Sequence, residues 1–550
     1  MSRKQRIIIS ITGIVLVSLI LIGLTYGYYL TKIKGNTNSK SISVVTANLL
    51  LEYADVNDEL ITDSAVEPGK SWTKTFVATN KGNKTVTYGV ALENVVNQFE
   101  RKDDIVYTLD CKQYSKTGFS IDKTNKTVTG TISGTCNGVS EETTFPSIGT
   151  ILVQNDIADD KAQVYTLLVT YKETNTDQSV DMNKTFSAKA NIVDPNNFNP
   201  YVNAPLKDVI VASANAATTN SDTTRTTMGS TVTEFTSISG ANEHVLNNAP
   251  DDYGTSYYYY GAVTDNYVSF ANKLWRIVRI NGDGSVRLVL DDIAKNSSGN
   301  ATETAFNSSS NDNAYVGYMY GTPGSTTYDA THKNINDSTI KKAVDKWYED
   351  NLKTNYANYL SDTLFCNDKT LASNGIGGVT TQLGYGTNET DYASTERLQY
   401  SSGTTTITTS KPTFKCAESA TNDYSRFTVD VATLANGNKT NGALKYPIGL
   451  LSADEVSYAG AYKYGIANNT YYLYDFSIRG SWWLSAPRDF SDIAFEWYLG
   501  HGSDLDGYEG LRGFHITNSM FIRPVLNLKA SVLVNQGDGT KENPYTVKLS

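Results

Sequence analysis

Histidine and cysteine are scarce in this chain of 550 residues, with four of each. Neither falls at metal-binding spacing. There is no HExxH, no CxxC and no mixed Cys/His cluster, so the common zinc patterns are excluded and no metal is expected. GxSxG is also absent, and no nucleophilic cysteine with a plausible catalytic partner stands out. Basic residues are outnumbered 47 to 57, giving a net charge of -10. Without a basic stripe the chain cannot neutralise a phosphate backbone, so no nucleic-acid partner is expected. No cofactor-binding motif occurs, and no cofactor is expected.

Only one long hydrophobic run is present. Ile7 to Leu30 carries no charge over 24 residues, enough at about 1.5 Å per helical residue to cross a hydrocarbon layer of about 30 Å. No A-x-A-like site follows directly, which favours an uncleaved anchor over a removed leader. Residues 1–6 then form a cytoplasmic N-terminus, 7–30 the transmembrane anchor and 31–41 a spacer. Charge near the run is balanced, with Arg3, Lys4 and Arg6 before it and Lys32, Lys34 and Lys40 after it, and the free amino terminus tips the count inward. The expected location is the cell membrane, single-pass, with the C-terminal bulk extracellular.

The cysteines fit that location. Cys111 and Cys136 lie close in sequence, as do Cys366 and Cys416, and two local disulfides would need an oxidising compartment. Four free buried thiols are the alternative.

Beyond the membrane run, a length of 550 residues calls for more than one folded unit. Residues 42–197 read as consecutive strands, among them SWTKTFVATN, KTVTYGVALENV and AQVYTLLVTYKE, separated by turns such as EPGK and NKGNK. An all-β sandwich follows. The insertion KQYSKTGFSIDKTNKTVTGTISGTC reads as a further hairpin, tied by the cysteine pair. Residues 198–250 are polar and read as a linker, with LKDVIVASA as a short helix.

Residues 251–550 mix strands with capped helices. LWRIVRI-NGDG-SVRLVL reads as a hairpin. Asp337 or Ser338 caps a helix to Leu352 with Ile340, Val344, Trp347 and Tyr348 on one side. Ser452 and Glu455 form a capping box at LLSADEVSYAG, which gives Glu455 a structural task. The polar stretches 295–313 and 368–412 read as long loops.

Two resemblances carry further. GLTYGYYL, followed by EPGKSWTKTFVATNKGNKTVTYGVAL, resembles the TasA and camelysin-type surface proteins of Gram-positive bacteria, a likeness that implies an extracellular sandwich and, for some members, fibre assembly. SADEVSYA, WWLSAP and FIRPVLNLKA are similar in order and spacing to formylglycine-generating-enzyme-like and C-type-lectin-like domains, which implies an α+β fold with long loops. That enzyme family uses a late cysteine pair. This chain has no cysteine after Cys416, so the redox activity is not implied. The segment from DDYGTSYYYYG to GDGTKENPYTV also resembles an uncharacterised bacterial surface module.

The stretch SWWLSAPRDFSDIAFEWYLGHGSDLDG gathers tryptophans and aspartates. Read as two strands with acidic loops, it should send about half of its aromatics to the core and the rest to the surface. The candidate ligand-binding residues are therefore Trp483, Asp489, Asp492, Trp497, Tyr498, His501, Asp504, Asp506, Tyr508, Arg512 and His515. A plain solvated loop is the alternative reading. The expected function is a surface-anchored, non-catalytic protein that binds an extracellular glycan or protein. A matrix protein assembling through its sandwich is the second reading and an extracellular hydrolase the third.

Overall fold

The computed structural model describes residues 30–35, 41–44, 49–57, 67–97, 99–181, 185–196, 198–216, 246–296, 298–373, 379, 382–398, 411–416, 424–461, 471–474, 480–500 and 510–549. The chain divides into two compact units, Met1–Asp208 and Val209–Ser550. The predicted span 7–30 lies outside the described residues except for Leu30, which opens a strand, Leu30–Gly35. Among the described residues no helix is long and apolar enough to cross a membrane. The spacer expected over 31–41 is likewise part strand, since Leu30–Gly35 pairs in parallel with Thr185–Val193.

Two sheets build the first unit. One orders its strands as Leu30–Gly35, Thr185–Val193, Val86–Asn97 and Thr150–Ile157. The other runs Val139–Thr144, Ile105–Ser115, Lys161–Tyr171, Ser71–Asn80, Leu49–Asp55 and Ser41–Val44. Period-two alternation explains why they face each other. Along Lys161–Tyr171, Tyr165, Leu167, Val169 and Tyr171 are buried while Leu168 is exposed. They join Tyr88, Val90 and Leu92 of the other sheet in one hydrophobic cluster. Several polar groups in that core are paired with one another. The Tyr88 hydroxyl contacts Gln163 Oε1 and the Tyr165 hydroxyl, and Asn155 donates to Tyr165.

The expected hairpin appears as Ser120–Asp122 against Thr127–Thr129, and Cys111 is bonded to Cys136. LKDVIVASA forms the helix Leu206–Ala216, so the stretch expected to be a linker starts with ordered backbone.

A larger and a smaller sheet organise the second unit. In the larger, the order is Ile448–Gly449, Val525–Leu528, Val286–Leu290, Lys273–Ile280, Tyr267–Phe270, Tyr545–Val547 and Val534–Gln536. NGDG makes its central hairpin, with Gly284 at φ +80°, where a residue without Cβ is favoured. The smaller sheet orders Glu303–Ala305, Ser519–Phe521, Trp482–Phe490, Ala494–Gly500 and Gly510–His515. RDF is the end of the strand Trp482–Phe490, and GLRGFH forms a third strand beyond the two expected in this region.

Ser338 caps the helix Thr339–Asn351 by accepting from the Lys341 amide, and Ile340, Val344, Trp347 and Tyr348 are buried. Ser452 and Glu455 complete the capping box of Ala453–Ala459. The stretch 368–412, expected to be loop, contains the helix Ala393–Leu398. Cys366 is bonded to Cys416. The unit is therefore a β-rich body with short helices.

Candidate functional site

Registers across the smaller sheet decide which candidate side chains share a face. Phe495 pairs with His515, and Trp497 with Gly513. Directly opposed residues point to the same side, so these four form one face. Glu496 pairs with Phe514, and Tyr498 with Arg512 and Trp483, on the other.

The tryptophans are core. Trp483 and Trp497 are both fully buried, and Tyr498 is 3% exposed. Trp483 donates its indole N–H to the Thr304 carbonyl and packs edge-on to Phe306. Trp497 donates to Ser394 Oγ at 2.9 Å, and Ser394 Oγ in turn donates to the Pro487 carbonyl. All three are therefore withdrawn from solvent, contrary to their expected contact with ligand. Five of the six aromatics in this stretch are buried (Trp482, Trp483, Phe490, Trp497 and Tyr498), with only Phe495 reaching solvent, and the helix Ala393–Leu398 covers part of the face that alternation alone would leave open.

What reaches solvent is a smaller set. Arg488 lies over Phe495 at 5.8 Å and over Trp497 at 5.7 Å. Gly513 makes room for it, since a Cβ there would sit 1.9 Å from Arg488 Cδ. His515 meets Phe495 edge-on at 4.7 Å. Asp489 is ion-paired with Arg488, and Asp492 is exposed in the adjoining turn. Arg512 and His515 are half-buried. His501, Asp504, Asp506 and Tyr508 lie outside the described residues. The structure thus brings Asp489, His515 and the unforeseen Arg488 and Phe495 together, with Arg512 on the opposite face. The signal available for Arg488 was the glycine at 513, legible only once the strand register is known.

Elsewhere in the unit the charged groups are committed to one another. Glu455 Oε1 accepts from Arg279 Nε at 3.1 Å and from Arg287 Nη1. Arg279 also reaches Asp251 at 2.9 Å. Burial pushes the Glu455 carboxyl up, but the two arginines outweigh it and hold the group below its usual range. Arg397 is clasped by Asp454 through two hydrogen bonds, at 3.0 and 2.9 Å, and by Asp368 at 2.8 Å. The cavity lined by Asp251, Arg279, Arg287, Arg397, Asp454 and Glu455 holds about 20 Å³, room for about one water. It is an internal ion-pair network and too small for a ligand.

A second buried group surrounds His332. Its Nε2 contacts the Gly384 carbonyl at 2.8 Å, and Tyr392 contacts the same nitrogen at 3.4 Å. Lys369 donates to Asn334 and to the carbonyls of Met319 and His332. Glu496 is fully buried and neither of its oxygens has a hydrogen-bond partner. Burial therefore drives its carboxyl well above the usual range, against the pull of Lys369. These groups lie in the core, out of reach of a substrate. No group of His, Cys, Asp and Glu able to hold a metal occurs among the described residues.

No family model, no curated protein and no solved structure matches the chain.

Proposed function

We propose that this chain is a membrane-anchored extracellular protein whose second unit presents a non-catalytic binding surface. The observation that carries the reading is the partly exposed group of Arg488, Phe495 and His515 on a rigid sheet, with a buried Trp497 beneath it. A cation and flat rings in fixed positions suit recognition of an extracellular glycan or protein. Two disulfides support an oxidising compartment. The charged side chains in both buried groups hold the fold, so they support no catalytic step. A C-type-lectin-like fold for the second unit, and a TasA or camelysin-like one for the first, belong to the same proposal. The capped helix Ala453–Ala459 followed by Trp482–Phe490 and Val525–Leu528 supports the former only through the order of its elements.

The test is a glycan and protein array probed with the soluble ectodomain and with an Arg488→Ala/Phe495→Ser variant. Capture by the wild type and loss in the variant, at equal melting temperature, supports the reading. Absence of any capture by the wild type removes it.

A matrix role through the sandwich is disfavoured at one edge. Val139–Thr144 is bulged, largely exposed and carries Glu141 and Glu142, features that oppose edge-to-edge growth. Concentration-dependent fibres in size-exclusion chromatography would restore that role.

A further inference from the structure

On the larger sheet of the second unit a groove of about 640 Å³ opens beside the hairpin Tyr267–Phe270/Lys273–Ile280. Its size falls within the range of small-ligand sites. Leu274, Ile293 and Trp347 give it an apolar floor, and Lys273, Lys295 and Lys541 surround that floor.

The charges are unevenly matched. Lys295 pairs with Asp292, and Lys541 approaches Asp291 at 3.7 Å. Arg276 also approaches Asp291, at 3.9 Å. Lys273 has no acidic partner among the described residues, and its ammonium lies 5.5 Å from the Trp347 ring centre. It is half-buried. Burial, and then repulsion from Lys295, pushes its amine below the usual lysine range. A partly desolvated cation without a counter-charge is costly unless a ligand supplies one.

The hairpin turn that presents Lys273 is itself strained. Ala271 and Asn272 both take positive φ, +54° and +57°. Asn is at home there and Ala is not. Strain of this kind persists where the surroundings hold the backbone in place, and it recurs at binding clamps.

We infer that this groove binds a saccharide bearing a single carboxylate, a uronic acid within a glycan. The carboxylate meets Lys273, the apolar face of a sugar ring lies on Leu274 and the edge of Trp347, and the hydroxyls find both donors and acceptors. Asp291 and Asp292 select the class. They accept hydrogen bonds from hydroxyls, whereas they repel a peptide or polymer carrying several adjacent negative charges. The site is separate from the face at Arg488 and stands independently of it.

The probes are a trisaccharide carrying one uronic acid (glucuronosyl-xylobiose), its methyl ester and triglutamate, titrated calorimetrically into the full ectodomain. The acid binds, and the ester binds about tenfold more weakly, as expected for loss of one charge-assisted hydrogen bond. Triglutamate does not saturate. Lys273→Gln lowers affinity for the acid by about the same factor, with the melting temperature unchanged because the side chain is half exposed. Lys541→Gln produces a smaller loss, and Arg488→Ala none. Equal binding of acid and ester, binding unaffected by Lys273→Gln, tight binding of triglutamate, or no saturation by the acid at millimolar concentration would each overturn the assignment.

Discussion

The guanidinium of Arg488 lies 5.7 Å from the centre of the Trp497 ring. One residue is fully buried and the other partly exposed, and the contact between them marks where the fold stops and the binding face begins. Replacing them separates the two roles. Trp497→Ala empties a buried site and costs about 3–5 kcal/mol, visible as a large fall in the urea midpoint. Arg488→Ala is expected to change stability by less, about 1 kcal/mol, because a partly exposed cation over an aromatic ring contributes about that much. Similar losses from both would contradict this division.

Glu455 is held by two buried arginines and by the start of its own helix. Glu455→Gln leaves Arg279 and Arg287 facing a neutral partner, and the expected loss is about 3–5 kcal/mol, the usual cost of breaking a buried pair on one side. Equilibrium unfolding measures it. A change below about 1 kcal/mol would mean that the network contributes little, as surface pairs do.

Two buried groups set the pH range of stability from opposite sides. Burial, then the Lys369 charge, lowers His332 from 6.5 to about 3. The unfolded chain binds the extra proton first, so stability is full above about pH 6.5 and declines toward pH 3, by up to about 1.4 kcal/mol per unit. Glu496 behaves in reverse. Its folded pKa is raised, so its contribution is full below the ordinary carboxylate value and is lost as pH rises. His332→Gln should flatten the acid side of a melting-temperature profile, and Glu496→Gln the neutral and alkaline side. Unchanged slopes would contradict both assignments.

The Cys366–Cys416 bond closes a separation of 50 residues, against 25 for Cys111–Cys136. In the chain-entropy picture the stabilisations are about 4 and about 3.5 kcal/mol. Serine replacement of each pair, followed by calorimetry, gives the comparison. Neutral replacement of the first pair would show that neighbouring contacts already restrain that segment.

Much of this fold was legible in the sequence where one periodicity ran unbroken. Tyr165, Leu167, Val169 and Tyr171 announce a strand, and Ser452 with Glu455 announces a helix start. The candidate site was less legible because burial there depends on a distant segment. Ser394 and Thr395, within a polar stretch that resembles loop, donate hydrogen bonds to the Pro487 and Arg488 carbonyls and bring a short helix over Trp497. No local pattern signals that cover. The groove at Lys273 was hidden for a similar reason, since its lining joins residues from 272 to 541 and its distinguishing feature is a missing counter-charge.

Recognition at the Arg488 face is tested most directly by binding. The wild-type ectodomain and the Arg488→Ala/Phe495→Ser variant are immobilised at equal density and exposed to the ligands recovered from the array. Saturable binding to the wild type is expected, with at least about tenfold weaker binding to the variant, the scale expected when a central aromatic and a cation are removed together. Equal affinity for both proteins, with both folded, would contradict it.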